Sequence, residues 1–250
     1  MLRPRFFTHQ ALAEGASLTL EAEPSRHIAK ALRMRANDRL CLFCGDGCEA
    51  VAVITAIDRH GVSVRIEALR EVDRESPLRV TLAISLSRGD RMDTIVQKAT
   101  ELGVAEIWPL ISGRTGVRLD ASRLERKQQH WRKIAISACE QCGRNQLPGI
   151  RAPASLDDVL RRSRNAADLR LILHPGFDGE PAQPRMPTTA GSLLLLVGPE
   201  GGFGDAEVGT AREAGFDTLR LGPRVLRTET APLAAIAVAQ ARWGDFSEFG

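Results

Sequence analysis

After about residue 77 the chain alternates short apolar runs with longer segments of helical periodicity. Residues 193–197 are wholly aliphatic and too few to cross a bilayer, so they predict a strand buried on both faces of a sheet. Alternation of strand and helix indicates a mostly parallel α/β sheet. The other strands are predicted at 80–86, 104–110, 169–173 and 218–221, and the helices at 93–102, 122–142, 156–162, 205–214 and 232–243.

The first 75 residues follow a different pattern, with short alternating segments separated by turn residues. Strands are predicted at 18–20, 39–43, 49–54 and 62–66, which indicates a small β-barrel with hairpins. A helix is predicted at 25–34, with Ser25 as its N-cap. The charged stretch 70–77 is the boundary, so the chain divides into domains 1–75 and 76–250. Residues 175–190 are rich in proline and small polar residues and predict a surface loop.

Composition describes an ordinary soluble globular protein: 43% of the 250 residues are hydrophobic and 26% are charged. Because the chain has neither an apolar N-terminal leader nor a long apolar span, we expect no membrane association and a cytoplasmic location. The odd number of cysteines, five, argues against a disulfide framework. Two C-x-x-C pairs raise the question of zinc, but Cys41 falls in a predicted strand and Cys139 in a predicted helix, so we expect no metal.

The net charge is only +3, yet the positive residues are clustered. Arg26, Lys30 and Arg33 share one face of the predicted helix, and a second cluster extends from Arg114 to Arg144. Such clusters suit a polyanion such as nucleic acid. Charge alone leaves open the alternative of solvated helix faces.

Two glycine-containing loops carry the clearest indication of chemistry. Gly-Pro-Glu-Gly-Gly-Phe-Gly at 198–204 follows the most apolar strand, and Leu-Gly-Pro-Arg-Val-Leu-Arg-Thr-Glu-Thr-Ala occupies 221–231. Open α/β sheets bind ligands at the carboxyl ends of their strands, so one pocket built from both loops is expected. The P-loop, dinucleotide-binding and nucleophile-elbow motifs are absent from the sequence. An adenosine-type ligand held by backbone groups stays open.

These two motifs resemble those of the ribosomal RNA small subunit methyltransferase E family, a member of the trefoil-knotted SPOUT methyltransferases. Internal segments at 98–104, 131–134 and 140–144 also look like family motifs. The segments 3–7 and 32–35 resemble the family's PUA-like RNA-binding domain. The resemblance therefore extends over nearly the whole chain and implies a SPOUT-type parallel sheet with a C-terminal knot, preceded by a PUA-like β-barrel.

The family implies methyl transfer from S-adenosylmethionine to N3 of a uridine in 16S rRNA of the small ribosomal subunit. It also implies a homodimer and no metal. His174, beside the same loops, is a further candidate ligand contact. By resemblance, the cofactor pocket is expected to comprise Leu173, Leu196, Gly198, Pro199, Glu200, Gly201, Leu221, Gly222, Pro223, Val225 and Leu226.

Three side chains are catalytic candidates: Arg227, Arg144 and Glu229. Either arginine suits a developing uracil anion or a phosphate, because the guanidinium stays charged and presents a planar fork. Glu229 is a candidate base or a group that orients an arginine, and helix capping beside Thr228 and Thr230 is an equal alternative. RNA contacts are expected from Arg5, Arg26, Lys30, Arg33, Arg35, Arg114 and Arg132.

Two rival functions stay open at this point. One is a SPOUT methyltransferase that acts on tRNA or on a ribose 2′-hydroxyl. The other is a ribosome-assembly factor that binds RNA without catalysis, although intact glycine loops favour an enzyme.

Overall fold

The computed structural model describes residues 3–87, 90–111, 121–174 and 187–246. The chain forms two compact units, Met1–Glu75 with Ile136–Leu147, and Ser76–Ala135 with Pro148–Gly250. Ile136–Leu147 thus belongs to the first unit, whereas the sequence predicts a single boundary near residue 75. The reason is packing, because buried Cys139 lies in an apolar cluster with Phe7 and Phe43.

The first unit contains a five-stranded sheet in the order β1-β3-β4-β5-β2. Strands β3, β4 and β5 are joined as antiparallel hairpins, and β1 runs parallel to β3. The inward side chains of these strands, among them Leu40 and Ile54, form its apolar core. The strands are β1 (Arg5–Phe7), β2 (Ser17–Thr19), β3 (Arg39–Phe43), β4 (Cys48–Asp58) and β5 (Gly61–Glu71).

The helix of this unit differs from the prediction. Helix α1 spans Ala22–Arg26 and continues as one π-helical turn, His27–Ala31. Ser25 is therefore inside the helix and is not its N-cap. Its hydroxyl donates to the Leu20 carbonyl and accepts from the Val62 N–H, both at 3.0 Å. Serine here joins the helix to the sheet, a long-range role that local sequence does not reveal.

The second unit is built on a seven-stranded sheet whose main path is β12-β10-β11-β6-β7-β8, and the strand β9 also pairs with β7. Every strand pair in it is parallel, as predicted. Two of the strands, β8 and β9, have only two residues each and were not predicted. The strands are β6 (Arg79–Ser85), β7 (Val104–Ile111), β8 (Gly149–Ile150), β9 (Ala154–Ser155), β10 (Leu169–Leu173), β11 (Ser192–Val197) and β12 (Asp217–Leu219).

Helices cover both faces of this sheet. None of the helices in the described ranges is both long and apolar enough to cross a membrane. Gly103 and Gly215, just after two of them, have φ of 83° and 84°, which agrees with the predicted ends. Of the predicted loop 175–190, residues 175–186 lie outside the described part. The helices are α2 (Arg91–Glu101), α3 (Ala121–Cys142), α4 (Leu156–Ser163), α5 (Asp205–Glu213) and α6 (Thr230–Trp243).

Strand β11 is buried on both faces, which confirms the interpretation of its aliphatic run. Leu193, Leu195 and Val197 join the core shared with α2, α3 and α6. Leu194 and Leu196 join the opposite core, shared with α4 and α5. The alternation follows from the two-residue period of a strand, and it decides which side chains of β11 face which layer.

The buried side chain of Gln240 joins α6 to Leu102, which follows α2, and to Ser76. Its amide donates to the Leu102 carbonyl at 2.9 Å and accepts from the Ser76 hydroxyl at 2.6 Å. We expect Gln240→Ala to lower the free energy of unfolding by about 1–3 kcal/mol, because it removes both hydrogen bonds and leaves the partly buried Leu102 carbonyl without this donor. Urea denaturation measures this. The control Glu213→Ala, at an exposed site, should change the free energy of unfolding by less than about 0.5 kcal/mol. Equal changes in the two variants would contradict the structural role given to Gln240.

Candidate functional site

A cavity of about 280 Å³ lies at the carboxyl ends of β10, β11 and β12. Strand β10 lies between the other two, and Leu173 is in register with both Val197 and Leu219. The three strands therefore end at one level, and the segments that follow them enclose a common space. The lining residues are Leu173, His174, 197–202, 219–226, Thr228 and Ala231.

The loop after β11 requires glycine at two positions. A Cβ atom at Gly198 would lie 3.1 Å from the Phe203 nitrogen and 3.1 Å from its ring, so that Phe203 would have to shift to make room for it. Gly202 has φ of 67°, and its N–H donates to the Pro199 carbonyl at 2.9 Å. The loop is thus a tight turn that folds back onto the strand end.

The loop after β12 forms the facing wall. Gly222 has φ of 74°, and the Arg220 side chain donates to its carbonyl at 3.2 Å. Cβ atoms added at Gly201, Gly202 or Gly222 would meet no atom within 4 Å, so a ligand can approach the backbone there. Largely apolar walls with accessible backbone suit a flat, uncharged group such as a nucleobase. Among the described residues, no group of three or more metal-ligating side chains occurs.

Four charged side chains follow one another along the rim. Arg91, the first residue of α2, forms an ion pair with Glu200 of the first loop. The Arg91 Nε also lies 3.8 Å from the Glu229 carboxylate, and Glu229 lies 4.0 Å from the Arg227 guanidinium. The order Glu200–Arg91–Glu229–Arg227 alternates in sign. Arg91 was not predicted as a site residue, because nothing near it in the sequence distinguishes it.

The predicted cofactor residues lie where the loops predict, with one exception. All of them line the cavity except Leu196, whose side chain joins the core on the other face of the sheet. Strand alternation explains the difference, because Val197 and not Leu196 is directed to this side. His174, Arg220 and Arg224 also line the cavity, and Val225 is 92% exposed at its rim.

Glu229 has a position that bears on its role. It is the N-cap residue of α6, but its side chain makes no capping hydrogen bond. The carboxylate is paired with arginines instead, which favours the prediction that it orients an arginine. Neither Arg227 nor Glu229 lines the cavity, but Arg227 lies between the lining residues Leu226 and Thr228, and its side chain is 85% exposed.

Arg144 lies in the first unit and does not line the cavity. Its side chain is buried, and its Nε donates to Glu75 at 3.0 Å. Burial by itself lowers the pKa of Arg144, but Glu75 outweighs burial and raises that pKa. The buried ion pair with Glu75 argues against the predicted catalytic role of Arg144.

Arg5, predicted to contact RNA, also has a structural role. Its guanidinium is buried and bonds to Glu49 at 2.6 Å and to the Asn145 side chain at 2.6 Å. Burial raises the pKa of Glu49, but hydrogen bonds from Arg74 and Arg5 outweigh it and lower that pKa. The other predicted RNA residues are exposed where described, namely Arg26, Lys30, Arg33, Arg35 and Arg132, and Arg114 lies outside the described residues.

Comparison with known families agrees with both units. A family model for an RNA methyltransferase domain matches residues 74–240, and one for an RNA methyltransferase PUA domain matches 20–67. The ribosomal RNA small subunit methyltransferase E of Bacillus subtilis is 33% identical, with 92% of each chain covered. That of Buchnera aphidicola from Schizaphis graminum is 32% identical, with 98% of each chain covered.

Solved structures agree as well. The ribosomal RNA small subunit methyltransferase E of Neisseria gonorrhoeae, solved with S-adenosylmethionine bound, is 41% identical with a TM-score of 0.89. A Legionella pneumophila protein, also solved with this cofactor bound, is 42% identical with a TM-score of 0.89. Both comparisons cover 98% of this chain and 99% of the other.

The tight turn at Gly198 gives a second prediction. Gly198→Ala should destabilise the protein by about 1–3 kcal/mol, because the added methyl group must displace the backbone at Phe203. Gly201→Ala in the same loop is the matched control, since its Cβ would meet open space. Thermal or urea denaturation compares the two variants, and equal stabilities would show that the close approach is not required.

Proposed function

The chain belongs to the ribosomal RNA small subunit methyltransferase E family, and we propose that it methylates N3 of a uridine in 16S rRNA with S-adenosylmethionine as methyl donor. The observation that carries the proposal is the cavity between the two glycine loops, at the carboxyl edge of the sheet. Relatives above 40% identity over nearly the whole chain are solved with this cofactor bound.

The residues around the cavity fit the proposed cofactor. A Cβ atom added at Gly201, Gly202 or Gly222 would meet no atom within 4 Å, so the cofactor can approach the backbone there without side-chain obstruction. Leu173, Leu221 and Leu226 provide apolar walls for the adenine. When bound, the cofactor supplies a methyl group activated by a sulfonium. The chain's contribution is to hold the donor and the base in line, since orientation lowers the barrier to transfer.

The uracil ring develops negative charge as its N3 proton passes to solvent water, so a positive charge nearby is needed to stabilise it. In this proposal Arg227 stabilises the negative charge that develops on the ring, because its guanidinium is exposed at the rim and permanently charged. Glu229, 4.0 Å from it, orients that guanidinium. A target base inside a helix could not reach the cavity, so the RNA must present the uridine unstacked.

We assign the first unit to RNA binding. The exposed side chains of Arg26, Lys30, Arg33 and Arg35 on and after α1 supply the positive charge that a phosphate backbone requires. The match of residues 20–67 to a PUA domain of RNA methyltransferases supports this assignment.

The family also leads us to propose a homodimer, a C-terminal knot and a cytoplasmic site of action on the small ribosomal subunit. Sedimentation equilibrium of the purified chain would test the dimer.

The decisive experiment is methyl transfer from labelled S-adenosylmethionine to small ribosomal subunits and, separately, to tRNA, with the product nucleoside identified by mass spectrometry. N3-methyluridine in the subunit fraction is the expected result. Label in tRNA or on a ribose would show that the proposed substrate is wrong, although the protein would still be a methyltransferase. Absence of both transfer and cofactor binding would favour a binding factor without catalysis.

The cofactor pocket leads to a prediction for Leu226→Glu. A carboxylate among apolar walls should weaken S-adenosylmethionine binding by on the order of 100-fold, because the charge must be desolvated as the ligand enters. Isothermal calorimetry measures the dissociation constant. Leu69→Glu, at a half-exposed leucine of the first unit, is the control and should leave affinity unchanged.

The RNA assignment leads to a prediction for Arg33→Glu with Arg35→Glu. Affinity for ribosomal RNA should fall, and the slope of log affinity against log salt should become shallower by about two for the two lost phosphate contacts. Filter binding at several salt concentrations tests this. An unchanged slope would place the RNA surface elsewhere, and cofactor affinity serves as the internal control.

A further inference from the structure

The charged side chains of the rim connect three separate segments of the second unit. Arg91 begins α2, Glu200 lies in the loop after β11, and Glu229 ends the loop after β12. Arg91 is paired with Glu200 and lies 3.8 Å from Glu229. One guanidinium therefore faces a carboxylate from each of the two segments that form opposite walls of the cavity.

The backbone of Arg91, at the start of α2, is fixed by the packing of the residues next to it. The next residue, Met92, is buried, and with Ile95 it lies in the same apolar core as Ala235 and Ile236 of α6. Strand β6, which precedes α2, pairs with β11, and Ile84 is in register with Val197. The backbone of Arg91 is thus fixed relative to the sheet, whereas the loops it contacts depend on tight turns.

We propose that Arg91 is a positioning residue that clamps the two glycine loops together and so sets the width of the cofactor pocket. The expected consequence of the clamp, tighter binding of S-adenosylmethionine, rests on the proposed function. Arginine suits the role because its planar guanidinium carries N–H groups on separate nitrogens, so that Nη1 faces Glu200 while Nε faces Glu229. The compact ammonium of lysine is a point charge without this fixed spread of donors.

The expected size of the effect follows from exposure. The Arg91 and Glu200 side chains are 43% and 52% exposed, so solvent screens their attraction. Partly exposed pairs contribute modestly, and we expect Arg91→Ala to weaken S-adenosylmethionine binding by about 3- to 10-fold. Arg91→Lys should lie between the wild type and Arg91→Ala. The difference in affinity between the wild type and Arg91→Ala should become smaller as salt is raised, because ions screen the two ion pairs.

The clamp itself is tested without any ligand, by hydrogen exchange of the backbone amides in the two loops. Arg91→Ala should raise exchange in both 198–204 and 222–229, since each loop loses its tie to α2. The matched control is Arg161→Ala, which removes an ion pair with Asp158 on α4, away from the cavity-lining residues. Equal exchange in Arg91→Ala and the wild type would overturn the clamp.

Calorimetry with S-adenosylmethionine then separates the inference from the proposed function. Faster loop exchange with weaker binding in Arg91→Ala is the expected result. Faster exchange with unchanged affinity would overturn the link between clamp and pocket. A wild-type protein that does not bind the cofactor would overturn the proposed function, and the exchange comparison would still decide the clamp.

Discussion

Parallel pairing of β10 with both β11 and β12 is the constraint on which the site depends. Parallel strands that are in register end at the same edge, so the segments that follow them must share one space. Two loops that are separated by 16 residues of intervening helix and strand, 205–220, become the opposite walls of one cavity. Neither loop alone would enclose a ligand.

Burial of β11 on both faces stabilises this arrangement. Its leucines alternate between two cores, one with α2, α3 and α6 and the other with α4 and α5. Because both faces of β11 are packed, a shift of its pairing register by one residue would move every side chain of β11 to the opposite core. The register of β11 is therefore strongly specified. The position of the loop at 198–202 is specified with it, and close packing at Gly198 against Phe203 completes the turn.

Arginine serves three purposes in this chain, and partners rather than residue type distinguish them. Arg5 and Arg144 are buried against carboxylates and hold together the first unit. Arg33 and Arg35 are exposed, as an RNA surface requires. Arg91 stands between two carboxylates at the rim. A buried pair is strongly disrupted when one partner is removed, whereas an exposed arginine is available to a polyanion.

The sequence by itself determined the architecture and the place of the site. The aliphatic run at 193–197 predicted a doubly buried strand, the alternation of periods predicted a parallel sheet, and the glycine motifs predicted one pocket at its carboxyl edge. These features are local, since the hydrophobic period, the turn residues and the apolar content can each be recognised within a few consecutive residues. Most errors of element position were small, and the missed strands are two or three residues long, too short to show a period.

The tertiary structure alone decided which charged side chains are paired with one another. Arg144 and Arg5 look like functional arginines in the sequence, but Glu75 and Glu49 bind them across long sequence separations. Arg91 has no local feature that distinguishes it, and its role arises because α2 begins beside two loops more than 100 residues away. Return of Ile136–Leu147 to the first unit is likewise a packing outcome. Pairing and burial are properties of the folded chain, because they depend on residues that only folding brings together.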